Sequence, residues 1–275
     1  MDLIAEKGGI SMTINLKYPV LLIHGLNGRD HAKSTYWGRI PESLRSEGVQ
    51  VYFGGGHAWT TIEYNGEIIA ETLRRIIGSG ACEKVNIIAH SKGGLEARYI
   101  ISQLEMTPFV ASLTTIATPH RGLKTLDILH DHRWALKVIA PFVNLYARVF
   151  RHDRKPDAEQ VLLQLSAKNC EEFNRRTPDS DGVYYQSFAS VMEKNSDDWA
   201  LILTHNLFRI FDGPNDGMVP LESAPWGEHH RIPAGKAGRG ISHNTNVDLW
   251  KRTVQGFDAP GFYVEVVKEL AEKGL

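Results

Sequence analysis

The chain has 275 residues, 42% of them hydrophobic and 23% charged, the balance of an ordinary globular protein able to bury a full core as one α/β domain. A formal net charge of -1 supplies no basic field and argues against a nucleic-acid partner. No apolar run approaches the roughly 20 residues of a membrane helix. The start Met1-Asp2-Leu3-Ile4-Ala5-Glu6-Lys7 lacks a basic region followed by an apolar one, so a cytoplasmic location is expected of the chain as written.

In chain order, Tyr18 to His24 reads as a strand, Gly38 to Ser46 as a helix stopped by Gly48, and Val49 to Phe53 as a second strand broken by Gly54-Gly55-Gly56. Ile62 to Ile77 carries apolar residues on one helical face, and Gly78 and Gly80 end it. Val85 to Ala89 is the next strand, followed by a helical run from Leu95 to Leu104. Val110 to Ala117 and Val183 to Ala189 read as further strands, the segment around His230 and Ile232 as a short last one, and Gly261 to Lys273 as a closing helix. This alternation predicts a mostly parallel sheet flanked by helices, with ligands bound at the carboxyl ends of its strands. Cys82 and Cys170 are far apart and without metal-ligand spacing, which reads as two free thiols.

One stretch breaks the rhythm. Between Pro119 and about Asp157 lies an apolar segment, Trp134 to Phe150, bounded by His130-Asp131-His132-Arg133 and Arg151-His152-Asp153-Arg154-Lys155. It reads either as a core helix or as a cap over an apolar pocket. Its place in the chain favours the cap, a helical lid insertion at about 120–157 within a single domain, 1–275.

The segment Ile87-Ile88-Ala89-His90-Ser91-Lys92-Gly93-Gly94 carries the most chemistry. A strand ends in a serine with small residues two positions before and after it, and a helix follows, which is the layout of a nucleophile elbow. A serine hydroxyl is a poor nucleophile near neutral pH, so it needs a histidine to take its proton and a carboxylate to orient that histidine. In the elbow arrangement both come later in the chain, acid first. Asp216, in the turn-rich Gly213-Pro214-Asn215-Asp216-Gly217-Met218-Val219-Pro220, is the candidate acid, with Asp212 its competitor. His243, in Ile241-Ser242-His243-Asn244 beyond the last strand, is the candidate base. His229 and His230 compete, but they fall within the last strand, where side chains alternate between the two faces. Two backbone N-H groups must meet the developing oxyanion. The Lys92 amide follows the serine, and Gly25 in Val20-Leu21-Leu22-Ile23-His24-Gly25-Leu26-Asn27-Gly28 turns the chain so that the Leu26 amide can face the site.

On these residues the chain resembles bacterial triacylglycerol lipases and related carboxylesterases of the α/β-hydrolase superfamily. The resemblance runs from about Tyr18 to Asp248 and is carried by VLLIHGLNG at Val20 to Gly28, TYWGRI at Thr35 to Ile40, NIIAHSKGGLEARY at Asn86 to Tyr99, LTTIATPHRG at Leu113 to Gly122, and NDGMVP at Asn215 to Pro220. Alanine at Ala89 is similar to the Bacillus-type lipases. The resemblance implies an α/β-hydrolase fold, Ser91 as nucleophile, Asp216 as acid, His243 as base, Leu26 and Lys92 as the oxyanion hole, and a lid after the TPHRG segment.

Related lipases that bind calcium place aspartates close to the catalytic histidine. Here His243 is followed by Asn244-Thr245-Asn246-Val247-Asp248, so the sequence does not support calcium. The zinc-binding Bacillus-type lipases use histidines in an insertion where this chain has Glu63 and no matching pair; zinc is not expected either. His57 and His120 read as structural or pocket-lining. The expected activity is hydrolysis of carboxylic esters with an apolar acyl part through an acyl-enzyme. A lipid ester is the expected substrate, with transient contact to a lipid surface through the lid and no cofactor. A thioesterase, a polyester depolymerase or an acyltransferase would use the same residues; a non-catalytic scaffold would not need the triad.

Overall fold

The computed structural model describes residues 13–29, 36–235, 238–251 and 256–275. The predicted amino-terminal start, Thr35 of the TYWGRI segment and Arg252 lie outside the described residues. Six strands, β1 (Val20–Ile23), β2 (Val51–Phe53), β3 (Val85–His90), β4 (Val110–Ile116), β5 (Tyr184–Ala189) and β6 (Glu228–Arg231), form one sheet in the order β2-β1-β3-β4-β5-β6. Every neighbouring pair is parallel.

The helices follow in chain order as α1 (Ile40–Ser46), α2 (Ile62–Gly78), α3 (Lys92–Gln103), α4 (Lys124–Asp131), α5 (Arg133–Phe150), α6 (Ala158–Gln164), α7 (Ala167–Arg176), α8 (Ile202–Phe211) and α9 (Ala259–Glu272). Because side chains alternate along a strand, the central strands feed two cores. Val20, Leu22, Ile88 and Ile116 pack with Ile40 and Leu44 of α1 and Tyr263 and Val267 of α9. Leu21, Ile23, Ile87 and Leu113 pack with Ile69 and Leu73 of α2 and Ile100 of α3. A strand buried on both faces reads as an unbroken apolar run, as β1 does, while β3 and β4 carry buried Asn86, Ser112, Thr114 and Thr115 among their apolar residues.

Three helix starts differ from expectation. Helix α3 begins at Lys92, not Leu95, because Gly93 and Gly94 are packing glycines inside a helix and not breakers. A Cβ on Gly93 would lie 2.4 Å from the His24 carbonyl oxygen, and one on Gly94 would lie 2.2 Å from Thr118 Oγ1. Helix α1 begins at Ile40, since Gly38 has φ +51 and sits against Asp248. Helix α9 starts two residues earlier than expected, at Ala259 with Pro260 in its first turn, where the absent proline N-H has no helical partner to lose.

Between β4 and β5 the chain places α4 to α7. Helix α5 is not a core helix: it buries Leu136, Ala140 and Ala147, whereas Trp134 is 68%, Phe142 72% and Phe150 70% exposed. Helix α8, which no sequence pattern flagged, adds Leu203 at 80% and Ile210 at 74% exposed. Among the described residues no helix is long and apolar enough to cross a membrane.

Candidate active site

The order of the sheet decides where a site can form. From β1 the chain moves outward to β2 and then returns to β3 on the other side of β1, so the crevice lies beyond the carboxyl ends of β1 and β3. Gly25 and Leu26 leave β1 there, and Ser91 follows β3. Ser91 has φ +56 and ψ -132, a conformation that a side-chain-bearing residue holds only when its surroundings impose it, at about 1–3 kcal/mol. The surroundings do impose it: the Ser91 amide donates to the Ile116 carbonyl at 2.9 Å, and the Ser91 carbonyl accepts from Thr118 Oγ1 at 2.8 Å and the Gly94 amide at 3.0 Å.

Asp216 and His243 meet across 27 residues of sequence, His243 Nδ1 donating to Asp216 Oδ2 at 2.8 Å. The amide of His243 also donates to the Asp216 carbonyl at 2.8 Å, so the two loops are joined by main chain as well. Asp216 is 1% exposed, and its Oδ1 accepts from the amides of Met218 at 3.0 Å and Val219 at 2.7 Å. Those two bonds fix the carboxylate and leave Oδ2 to hold the imidazole, whose Nε2 is then available as a proton acceptor. Ser91, His243 and Leu26 line one cavity of about 830 Å³, with Leu123, Leu165 and Phe208 among its apolar walls.

The two oxyanion candidates are main-chain amides. Lys92 is the first residue of α3, where an N-H has no intrahelical partner and the helix dipole favours negative charge. Among the described residues neither its amide nor that of Leu26 finds an acceptor. The Lys92 side chain is buried away from this role, paired with Glu96, which also accepts from Asn65 Nδ2 at 2.8 Å.

The competing residues are elsewhere. Asp212 accepts from the amides of Lys124 at 2.6 Å and Thr125 at 3.1 Å, tying the end of α8 to the start of α4. His229 bonds to Ser187 Oγ at 2.9 Å, and His230 stacks on Phe188 and faces Glu228 at 3.1 Å. His120 stacks on Trp226 and bonds to Thr115 Oγ1 at 3.0 Å; burial holds its pKa well below the usual histidine value. His57 Nδ1 lies 3.2 Å from Asp153 Oδ1. Burial alone would raise the Asp153 carboxyl, but the bonds from His57 and from the amides of Ala58 and Trp59 hold it below its ordinary value. This cluster joins the chain just after α5 to the loop after β2.

Sequence reasoning missed the residues that hold the His243 loop. Asp198 Oδ2 accepts from Ser242 Oγ at 2.8 Å and Asn244 Nδ2 at 3.0 Å, across separations of 44 and 46 residues that no local pattern reveals. On the other side Arg39 grips Asp248: its amide and Nε donate to Oδ2 at 2.7 and 2.8 Å, and Nη2 donates to Oδ1 at 2.7 Å. The guanidinium thus takes both Asp248 oxygens, and Glu63 accepts from Gln164 Nε2 at 2.6 Å. Among the described residues no group of three or more His, Cys, Asp or Glu side chains could hold a metal, and Cys82 and Cys170 are free thiols.

The chain is 33% identical over 178 residues to a triacylglycerol lipase of Pseudarthrobacter phenanthrenivorans, covering 59% of this chain and 54% of that one, so the match spans about half the relative's length. It is 26% identical to a triacylglycerol lipase of Pseudomonas fragi, over 96% of this chain and 99% of that one. Among solved structures, the mature lipase BlEst2 of Bacillus licheniformis superposes with a TM-score of 0.65 at 19% identity, covering 92% of this chain and 93% of that one. At that identity the likeness speaks for the fold, an α/β-hydrolase fold over nearly the whole chain. The family described as "Putative serine esterase (DUF676)" matches residues 17–185, from the start of β1 through the elbow into β5. With more than half its length inside that match, the chain belongs to this serine esterase family.

Proposed function

We propose that the protein hydrolyses carboxylic esters of apolar acyl chains through an acyl-enzyme formed on Ser91. The observation that carries this reading is the His243–Asp216 bond at 2.8 Å beside a strained Ser91 on the same cavity. Ser91 Oγ attacks the acyl carbonyl while His243 Nε2 takes its proton, and the carbonyl oxygen becomes an oxyanion held by the Leu26 and Lys92 amides. Collapse of this intermediate breaks the bond to the alcohol, which leaves with the proton from His243. Water then attacks the acyl-enzyme by the same route, releasing the acid and restoring Ser91.

The acyl part is assigned to the wall of Leu123, Leu165 and Phe208, where burying each methylene is favourable by about 0.8 kcal/mol. The described residues act as one domain, with the segment 120–157 as its cap. Phe150 and Arg151 at the end of α5 line the cavity while Trp134, Val138 and Phe142 face outward, the arrangement of a lid that meets a lipid surface. Triacylglycerol lipase is the description carried by the relatives named above, and it agrees with this substrate class.

The deciding experiment is hydrolysis of p-nitrophenyl esters of increasing chain length, and of emulsified triglyceride, by wild type and Ser91→Ala, together with fluorophosphonate labelling. Ser91→Ala should lose several orders of magnitude in kcat and all labelling. Equal activity in the two proteins rejects the reading. Removing Trp134 to Phe150 should shift the preference between long and short chains; an unchanged profile rejects the lid.

A further inference from the structure

The TYWGRI segment was part of the family resemblance, yet the proposed chemistry gives it no task. Tyr36, its second residue, lies between the two halves of the site. Its hydroxyl accepts the Gly25 amide at 2.8 Å and is hydrogen bonded to His90 Nδ1 at 2.6 Å. Gly25 immediately precedes Leu26, and His90 immediately precedes Ser91. The His90 ring packs on the His243 ring with centroids 4.3 Å apart, and His90 Nε2 is buried with no partner among the described residues. The loop and the elbow approach so closely that a Cβ on Gly25 would lie 2.6 Å from Ser91 Cβ and 2.8 Å from Tyr36 Oη.

We propose that Tyr36 is a positioning residue: its hydroxyl locks the oxyanion loop to the nucleophile elbow and, through the His90 ring, sets the seat of His243. The proposal rests on the reading of Ser91, His243 and Asp216 given above. The Leu26 amide comes from a loop after β1 and the Lys92 amide from the start of α3, two elements with no covalent reason to keep a fixed spacing. An oxyanion hole works only when both donors meet one oxygen at about 2.7–3.1 Å. A displacement of about 1 Å in such a site lowers the rate by about 100-fold. A single hydroxyl bonded to both elements removes that freedom, and it does so without touching the substrate carbonyl.

The test is Tyr36→Phe, which deletes one oxygen and keeps the ring contacts with His24, Trp37 and His90. On p-nitrophenyl butyrate kcat should fall about 10- to 100-fold while KM changes little, and fluorophosphonate labelling of Ser91 should slow in proportion. His90→Phe removes the same bond from its other end and should also lower kcat. In the double variant the losses should not multiply, because both substitutions break one connection. Unfolding temperatures measured alongside separate positioning from stability. A Tyr36→Phe protein with wild-type kcat, a loss confined to KM, or losses that multiply in the double variant overturns the proposal. A wild type that labels but hydrolyses no ester defeats the ester reading alone, and the labelling rates of the variants still judge Tyr36. A wild type that does not label defeats the assignment of Ser91 and the proposal with it.

Discussion

Replacing Arg39 with leucine should destabilise the protein by about 3–5 kcal/mol, because it strands a carboxylate. The Asp248 side chain is fully buried while that of Arg39 is 39% exposed. The two ends of the pair are therefore unequal. Asp248 has three donors, all from Arg39, and without the guanidinium it keeps only the Arg39 amide as a partner among the described residues. Neutralising the acid as well, in Arg39→Leu/Asp248→Asn, should recover more than half of the loss, since a buried amide is far less costly than a buried unpaired charge. Asp248 closes the short helical turn that begins two residues after His243, so the single variant should also lower kcat more than a remote substitution of equal stability cost. Urea unfolding followed by tryptophan fluorescence reads the first effect, and ester hydrolysis well below the unfolding midpoint reads the second. A loss under about 1 kcal/mol for Arg39→Leu, or a double variant less stable than the single one, would refute the reasoning.

Three further outcomes are expected. In Asp216→Asn the amides of Met218 and Val219 still require an oxygen at the Oδ1 position, so the new NH2 is turned toward His243 Nδ1 and selects the wrong tautomer; kcat should fall roughly 10,000-fold with stability little changed, and retention of a tenth of the activity would contradict it. Gly93→Ala places a methyl 2.4 Å and 2.8 Å from the carbonyl oxygens of His24 and Ile23, main-chain atoms that cannot turn aside; denaturation should show a loss of about 1–3 kcal/mol, and labelling of Ser91 should slow. Burial holds the pKa values of His90 and His120 well below the ordinary 6.5, so below pH 6.5 the unfolded chain takes up protons that the folded chain refuses. Stability should therefore fall as pH drops from 6.5 to 5.5, by up to about 1 kcal/mol for each histidine. A flat urea midpoint over that interval would count against it.

Much of the machinery was legible because its signals are local. The apolar runs at Val20, Val85 and Val110 announce strands buried on both faces, and alanine and glycine flanking His90-Ser91-Lys92 announce a turn where side chains cannot fit. The order Ser91, Asp216, His243 then narrowed the partners, and the structure brings the last two within hydrogen-bonding distance. Local rules fell short at the elbow, where the helix was expected from Leu95 but starts at Lys92 and takes in Gly93 and Gly94, whose constraint is the neighbouring strand end and Thr118. Helix α8 went unread because most of its apolar residues, Leu203, Ile210 and Phe211 among them, are exposed and only Phe208 reaches the core, so its pattern carries little imprint of one.

By itself the sequence determined the parallel alternation of strands and helices, the pattern of a nucleophile elbow and the candidate acid, base and oxyanion donors. Those are consequences of spacing along the chain. Only the tertiary structure decided which acid faces which histidine, how Asp198 and Arg39 hold the His243 loop from opposite sides, and how one Tyr36 hydroxyl reaches both Gly25 and His90. These contacts join residues 11 to 209 positions apart. A hydrogen bond leaves a mark in sequence when its partners sit one turn or one pleat apart; across such distances its geometry exists only once the sheet has folded.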